Sequence, residues 1–310
     1  MRRLPGRDAS TILFGLLSAA VLAGCATAVK PTVIPVSQTG DQHARYYQAV
    51  TGEEQFERGK PRPVIDGVGW VVGIPNKVML WDRRVDNHRV SPETENQLRE
   101  YLAANELYDV KVRVNQYHPV DEWRRLRRNQ RVSPGWRYTV GALHTLGYTV
   151  LPGRIFGGDR YNPYTNSLYV YSDAPPMSIV EAAYAKDVHT RDLPGTYAAV
   201  QDLPVVGLWH ETLATRDALD YTYLACPPED GKEAENLLYP RYGARVGGAV
   251  GSATGVVGFP TWIGAGGGHV VGRLQGRKAK GGSPEASSSA VSEPATIELP
   301  PAPTEESLPK

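Results

Sequence analysis

The amino-acid sequence predicts an α+β protein, and three observations lead to this class. Residues 64–116 combine short apolar runs with a helix signal, which predicts a small α/β module. Residues 117–240 carry mainly helical patterns, with a strand at 167–171. From residue 243 to 276, glycines recur at four-residue intervals, which predicts a helical hairpin. The expected order is therefore a module, a helical domain and a glycine-rich hairpin.

Length, charge and cysteine content narrow the class further. The chain has 310 residues, enough for one large or two ordinary domains. Its formal net charge is +1, so nothing in the composition suggests nucleic acid as a partner. Its two cysteines are Cys25 and Cys226. If Cys25 is modified as described next, Cys226 has no partner for a disulfide within the chain.

The N-terminus resembles a bacterial lipoprotein signal. Three arginines precede an apolar segment at residues 10–22, which is too short for an ordinary membrane-spanning helix. The segment ends in Leu22-Ala23-Gly24-Cys25, which resembles the lipobox. The resemblance implies cleavage before Cys25, lipid on its thiol, and, with Ala26 following, an outer-membrane location facing the periplasm. The alternative is a plain secretory signal with an incidental cysteine. Residues 26–63 are expected to form a tether.

Within residues 64–116, four elements are expected. Two apolar runs, 69–73 and 77–81, predict a β-hairpin around Ile74-Pro75-Asn76. Ser91-Pro92-Glu93 predicts the start of a helix, with serine as the N-cap. The alternation of valines with Lys111 and Arg113 predicts a half-buried strand.

The helical domain, residues 117–240, is expected to begin with a basic helix at 119–129 that either faces solvent or contacts anionic lipid headgroups. In the next helix, expected at 136–146, His144 is expected to be a core histidine. A helix from about 176 to 189 should follow the strand. A second helical region, 197–223, should be broken near Pro204 and ended by Cys226-Pro227-Pro228.

The strand at 167–171 and the two helices after it carry the most distinctive pattern. The first helix reads Val180-Glu181-Ala182-Ala183-Tyr184-Ala185-Lys186-Asp187, and the second carries His210, Glu211, Ala214 and Asp217. From about residue 153 to 219, the chain resembles a family of zincin-like, gluzincin-type bacterial envelope lipoproteins. In that family the first helix reads His-Glu-Ala-Gly-His-Ala-Lys-Asp, and a later helix has a Glu followed by Ala and Asp.

The resemblance implies a zinc site that this chain has lost. Two histidines four residues apart grip one zinc ion, the intervening Glu acts as general base, and the later Glu is the third ligand. Here Val180 and Tyr184 occupy the two histidine positions. Glu181, Glu211 and Asp217 are then remnants, and no cofactor is expected. The alternative is an unusual set of zinc ligands drawn from Glu181, Tyr184, His210 and Glu211. In this set His189 could take the place of His210.

The glycine segment, residues 241–278, has two possible interpretations. Its regular glycines are Gly243, Gly247, Gly251, Gly255, Gly264, Gly268, Gly272 and Gly276. They predict a glycine-zipper hairpin that turns at 259–262, inserts partly into a membrane or self-associates, and has Arg241, Arg245, Arg273 and Arg277 at its open end. The alternative is a flexible glycine-rich loop. Residues 279–310 are rich in Pro, Ser and Glu and are expected to be disordered.

Together these patterns favour a membrane-anchored bacterial envelope lipoprotein whose zincin-like body is catalytically inactive and serves as a structural or interaction module. Its expected partners are the membrane and either another envelope protein or a second copy. Two alternatives stay open: a zinc-dependent peptidase with unusual ligands, and a glycine-zipper oligomer or pore former. The interpretation as a degenerate protease requires that Glu181 and Glu211 converge in the fold.

Overall fold

The computed structural model describes residues 54–281 except Pro204 and Val257, with side chains up to residue 275. It confirms the α+β class. The strands are β1 (Phe56–Arg58), β2 (Lys111–Val114), β3 (Arg160–Asn162) and β4 (Ser167–Val170). The helices are α1 (Pro63–Val72), α2 (Ile74–Leu80), α3 (Pro92–Ala104), α4 (Pro119–Arg128), α5 (Pro134–Trp136), α6 (Ala142–Val150), α7 (Gly153–Phe156), α8 (Pro175–His189), α9 (Pro194–Gln201), α10 (Gly207–Ala225), α11 (Pro228–Thr254) and α12 (Phe259–Gly281). The predictions for the signal peptide, Cys25 and residues 282–310 lie outside the described residues.

The four strands form one mixed sheet in the order β1-β2-β4-β3. β1, β2 and β4 run parallel, and β3 lies antiparallel to β4 at one edge. The strands come from both sides of the boundary predicted at residue 116, and β1 comes from the end of the predicted tether. β3 and β4 thus lead directly from the sheet into α8.

β2 forms as predicted, but the expectation that it is half-buried was wrong. All four of its residues are buried because both faces of the strand are covered: Val112 packs in an apolar cluster with residues of α3 and α8, and Arg113 faces α4. The charged residue Arg113 is satisfied inside the protein, where its Nε lies 2.6 Å from Glu122 and a second nitrogen pairs with Asp121. Alternation of polar and apolar residues therefore reflects buried ion pairs here rather than a solvent-facing side.

The predicted β-hairpin at residues 69–81 was wrong, because this segment belongs to α1 and α2. Proline stands at the first or second position of both helices, where its missing N–H costs no hydrogen bond. Gly73 joins the helices, and Trp81 ends α2 in the left-handed conformation with φ of 54°. The apolar residues are so dense that they hid the helical period.

The remaining helix predictions hold, with two changes. Ser91 caps α3, since its Oγ accepts a hydrogen bond from the Thr94 amide at 3.3 Å. The helix expected at 136–146 is longer and contains one π-helical turn at Arg137–Gly141, between α5 and α6. The region expected to break near Pro204 divides into α9 and α10.

α8 is the centre of the core. It packs against α3, α10 and α11, and its side chains are buried on nearly all sides. The main apolar cluster includes Leu98 and Tyr101 of α3, Val112 of β2 and Ile179 of α8. Polar residues of α8 therefore need partners inside the protein, which sets the conditions at the candidate site.

α11 and α12 pack side by side along their glycines. A Cβ atom at Gly243 would overlap the carbonyl oxygen of Gly264, and the reverse also holds. Close approach of the two backbones thus requires glycine at these positions. Residues 228–240 extend α11 beyond the predicted arm, and the turn lies at 255–258 rather than at 259–262, since Gly255 and Gly258 have positive φ.

Four of the other regular glycines serve the same contact, whereas Gly255 belongs to the turn and has no atom within 4 Å of its Cβ position. Cβ atoms would overlap backbone or approach it closely at Gly247, Gly251, Gly268 and Gly272. The surroundings of Gly276 are outside the described part of the structure. Among the described helices, none is both long and apolar enough to cross a membrane.

Candidate functional site

Glu181 and Glu211 converge, as the sequence analysis required. Glu181 lies on α8 and Glu211 on α10, two helices packed against each other. Between them lies the guanidinium of Arg241 from α11. Its Nη2 is 2.5 Å from Glu181 Oε1, and its Nη1 pairs with Glu211 Oε1. All three side chains are buried. We call this group the Glu–Arg–Glu cluster.

The second oxygens of the two carboxylates also have partners. Glu181 Oε2 accepts a hydrogen bond from the backbone N–H of Tyr161, on β3, at 2.9 Å. Glu211 Oε2 lies 3.8 Å from Nε of Arg245, one turn beyond Arg241 on α11. The Arg245 side chain is 58% exposed, so it connects the cluster to solvent. The cluster is thus closed on the strand side and open toward Arg245.

Electrostatics stabilise the charged state of the cluster. Burial raises the pKa of Glu211, but the charges of Arg241 and Arg245, together with the Arg241 hydrogen bond, outweigh this effect and leave the pKa below its ordinary value of 4.5. Burial lowers the pKa of Arg241, and the charges of Glu211 and Glu181 more than restore it. Removing either the arginine or the two glutamates would therefore leave a buried charge without a partner of opposite sign.

The two positions that hold histidine in the resembling family are both packed against other side chains in this fold. Val180 is 1% exposed and packs in the main apolar cluster. The Tyr184 ring lies 4.2 Å from the His210 ring and 5.6 Å from the Tyr161 ring, measured between centroids. Burial raises the pKa of Tyr184 well above its ordinary value near 10. Its hydroxyl therefore stays protonated and is a poor metal ligand.

His210 packs against the Tyr184 ring in a tilted arrangement. Its Nδ1 lies 3.3 Å from Gln201 Oε1, and its Nε2 lies 3.8 Å from Glu211 Oε2. Burial lowers the pKa of His210 to about 4, so the ring is neutral at pH 7. A neutral ring in contact with Tyr184 is consistent with packing.

Asp217 and His189 make contacts that do not involve the Glu–Arg–Glu cluster. Asp217 accepts hydrogen bonds from Lys186, at 2.6 Å, and from the Tyr101 hydroxyl. His189 contacts the Ala185 carbonyl oxygen at 2.7 Å and Asp109 at 3.2 Å. Neither side chain contacts Glu181 or Glu211, so neither completes a ligand set with them.

The residues present do not fit a catalytic zinc ion. Such a site needs three protein ligands and an open position. Here two carboxylates converge, and the oxygens that face each other are both held by Arg241. Within the described part of the chain, no group of three or more His, Cys, Asp or Glu side chains is arranged to hold a metal. The guanidinium of Arg241, a permanent cation, lies where the two carboxylates converge.

Two adjoining cavities, of about 510 and 410 Å³, open beside the cluster. They share Arg160, Arg241, Arg245 and two smaller residues of α11 and α12 as lining. The larger is lined by the Tyr184–His210 pair, and the smaller is bordered by tyrosines. They form a cleft between the sheet edge and the α11–α12 pair, with the exposed Arg160 and Arg245 at its centre.

His144, expected in the core, instead lines the larger cavity. Its Nε2 lies 3.0 Å from Asp202, and its side chain is 30% exposed. The expectation was wrong because α6 packs on α4 through other residues, including Tyr148, and leaves this position at the cavity wall. The ring still contacts Tyr164, with centroids 5.2 Å apart.

Asp159 is a further carboxylate at the cleft. Its Oδ1 accepts hydrogen bonds from the amides of Tyr171 at 2.5 Å and Ser172 at 3.0 Å. Its Oδ2 is buried without a hydrogen-bond partner among the described residues. Burial, reinforced by the charge of Asp86, raises the pKa of Asp159 to about 7. This carboxyl therefore changes charge near neutral pH.

Sequence reasoning missed Arg241, which decides the character of the site. It was expected at the open end of a hairpin, and this was wrong because α11 begins at Pro228 and places residue 241 in mid-helix against α10. One sequence signal was available. Arg241 and Arg245 are four residues apart and so lie on one helix face, as two cations facing one acidic group would.

Comparison with known proteins found no match: no family, no curated protein and no solved structure is significantly similar to the chain.

Proposed function

We propose that the chain is a lipid-anchored protein of a bacterial envelope, with a zincin-like body that performs no metal chemistry and acts as a structural or interaction module. The proposal combines the resemblance of residues 22–25 to a lipobox with the geometry around Glu181 and Glu211. Its location would be the outer membrane, on the periplasmic side. The cleft beside the cluster would be the surface available to a partner.

The observation that carries the non-catalytic part is the position of Arg241. In a zinc peptidase the general base takes a proton from a metal-bound water, and such a water needs space between the two glutamates. That space contains a guanidinium bonded to both carboxylates. With both glutamates neutralising Arg241, neither is free to accept a proton from a reacting water.

Metal analysis of the purified full chain tests the proposal. We expect no stoichiometric zinc after dialysis against buffer containing micromolar zinc, and no change in thermal stability on adding a chelator. One bound equivalent that disappears in Glu211→Gln would support the alternative of a zinc peptidase with unusual ligands. A known zinc peptidase carried through the same dialysis is the control for recovery of the metal.

A reversal experiment tests the resemblance itself. If Arg241 occupies the position of a lost ion, the variant Val180→His, Tyr184→His, Arg241→Ala should bind one zinc, because two imidazoles and Glu211 form three ligands. The control keeps Arg241 and changes only residues 180 and 184; it should not bind zinc. A triple variant that is folded by circular dichroism and binds no zinc would contradict the resemblance.

The lipid anchor has an independent test. Cells expressing the full chain and supplied with radiolabelled palmitate should incorporate the label into this protein, and Cys25→Ser should abolish incorporation. Cys226→Ser is the matched control, since it changes the other thiol. Incorporation that depends on Cys226, or no incorporation at all, would contradict the anchor while leaving the account of Arg241 intact.

The glycine-zipper oligomer or pore former receives no support from the glycines themselves. The contacts at Gly243, Gly247, Gly264 and Gly268 are all made between α11 and α12 of one chain. Glycines consumed in this way are not available to pack a second copy. We therefore assign them to internal packing, and we place the membrane contact elsewhere on the molecule.

A further inference from the structure

α1 and α2 have the reverse of the usual helix polarity. Their outward side is apolar: Val64 is 80% exposed, Val71 57%, Val78 53% and Trp81 63%, and Val68, Trp70, Val72 and Ile74 are also exposed. Surface helices of a soluble protein normally turn such residues toward the core. An exposed apolar surface of this size, rimmed by polar residues, marks an interaction site.

The charged residues of α1 and α2, Asp66 and Lys77, point inward and fix this orientation. Asp66 pairs with Arg154 of α7 at 2.6 Å. Lys77 is 7% exposed and donates hydrogen bonds to the carbonyl oxygens of Trp70 and Asp86, both at 3.0 Å. Turning the valines inward would break these contacts, so the exposed apolar side is part of the folded state.

The apolar surface continues onto α12. The Trp81 ring stacks on His269, with centroids 4.1 Å apart, and the Arg273 guanidinium lies 4.8 Å from the Trp81 ring centroid. Beside these residues on α12, Val270 and Leu274 are more than half exposed. We call the exposed residues of α1, α2 and this part of α12 the apolar face.

A basic rim borders the apolar face. A cavity of about 730 Å³ beside α1 is lined by Trp70, Arg58, Arg83 and Arg89. Arg83 and Arg89 are exposed and make no ion pair within the part of the chain described by the structure. Asp66 is the one acidic residue of α1 and α2, and Arg154 neutralises it. The charge beside the apolar face is therefore positive.

We propose that the apolar face docks on the interface of an anionic lipid bilayer, with Arg83 and Arg89 at the phosphate groups. Charge complementarity favours lipid, because phosphates offer acceptors for both unpaired arginines. Trp70 and Trp81 suit the headgroup region, where aromatic residues with one polar edge are preferred. With 10 and 7 residues, the helices span about 15 and 10 Å, so they lie in the interface and do not cross a core of about 30 Å.

This contact does not depend on the lipid anchor proposed above, and the experiment separates the two. Full chains carrying Cys25→Ser and Cys226→Ser would be held on phosphatidylethanolamine–phosphatidylglycerol vesicles by a C-terminal hexahistidine and a nickel-chelating lipid. A single cysteine at Val71 would carry an environment-sensitive fluorophore. The matched control is a cysteine at Leu193, which is 69% exposed and lies on α9's N-terminal side, away from the face.

We expect nitroxide-labelled lipids to quench the fluorophore at residue 71 and not at residue 193. Without the nickel lipid, binding to the same vesicles should weaken about tenfold in Val71→Asp, through the loss of one buried valine, and remain unchanged in Leu193→Asp. Arg83→Gln and Arg89→Gln should each weaken binding about fivefold at low salt.

Equal exposure of the two fluorophores to water on the vesicle would overturn the proposal. So would a blue shift at residue 71 that appears without vesicles and grows with protein concentration, since that result would assign the face to a second copy of the chain. Affinity unchanged in Val71→Asp would overturn it as well, whatever the fate of Cys25.

Discussion

The Glu–Arg–Glu cluster and the apolar face both break the usual rule of burial, but in opposite ways. The cluster buries three charges from α8, α10 and α11, whereas the face exposes large apolar residues of α1 and α2. In the cluster, every charge has a partner within the chain. In the apolar face, no described part of the chain covers the apolar side chains, so they are exposed to solvent.

The difference separates an internal feature from an external one. A buried charge without a partner of opposite sign would destabilise the site, so the partner must come from the chain itself. An exposed apolar surface does not unfold a protein and can be completed by something outside it. The charges of the cluster are thus satisfied within the body, whereas the face is available for contact with something outside the chain.

The largest expected effect is on the cluster. Arg241→Ala leaves Glu181 and Glu211 buried without a cation, and we expect a loss of about 3–5 kcal/mol in the free energy of unfolding. Arg245→Ala, at the exposed neighbour, is the control and should cost less than about 1 kcal/mol. Urea denaturation of the purified chain measures both. Similar costs for the two variants would show that the cluster is not the stabilising unit described here.

The next effect concerns the glycine contact of α11 with α12. Gly264→Ala places a Cβ against the carbonyl oxygen of Gly243, and we expect a loss of about 1–3 kcal/mol. Gly266→Ala, two residues away on the same helix, meets no atom within 4 Å. It should instead gain up to about 1 kcal/mol from helix propensity. Thermal unfolding compares the two, and shifts of the same sign would contradict the packing.

Asp159 gives a pH dependence of known sign. Its folded-state pKa of about 7 lies above its ordinary value of 3.8, so the folded state binds the proton more tightly. Its contribution to stability is complete below about pH 4 and is lost as pH rises through 7. Asp159→Asn cannot ionise, and we expect its melting temperature to fall less than that of the wild-type chain between pH 5 and 8.

Glu211 contributes to the pH dependence of stability with the opposite sign, so wild type and Asp159→Asn must be compared over the same pH range. Its folded-state pKa lies below 4.5, so its contribution is present above that pH and is lost on acidification through the folded-state value. Above pH 5, the difference between wild type and Asp159→Asn therefore reports Asp159. Parallel melting profiles in that range would contradict the assignment.

The smallest expected effect on stability is on the apolar face. Val71→Ser removes exposed apolar surface and breaks no described contact, so the free energy of unfolding should change by no more than about 0.5 kcal/mol. Denaturation without vesicles measures it, with Val112→Ser in the buried strand β2 as the contrasting variant. A large loss in Val71→Ser would mean that the face is covered by the chain itself.

Much of the local structure could be predicted from sequence, because its causes are local. Ser91 followed by Pro92 fixes the start of α3, and the apolar pattern around Glu181 and Glu211 gives two helices. The meeting of those two glutamates followed from the resemblance and is confirmed. Each of these predictions depends on residues close in the chain or on a known pattern.

The failures share a physical cause, which is that tertiary contacts decided the outcome. The segment around Gly73 has consecutive apolar residues, so period alone could not separate strand from helix, and its outward-facing valines reversed the expected pattern. Arg241 pairs with Glu181 across 60 residues of chain. Without aligned sequences, no local rule connects a glycine-rich arm with two distant glutamates.

The hydrogen bond from the Tyr161 amide to Glu181 has a consequence for how any ligand can enter the cleft. β3 is an edge strand, and an extended peptide that lengthened the sheet there would need the outward backbone donors of that strand. One of these donors is already committed to the carboxylate at 2.9 Å. Strand addition at this edge would release Glu181 from its amide and disturb the charge balance beneath it. The hydrogen bond therefore disfavours the pairing of another strand at the β3 edge of the sheet. A ligand in the cleft must instead be held by side chains.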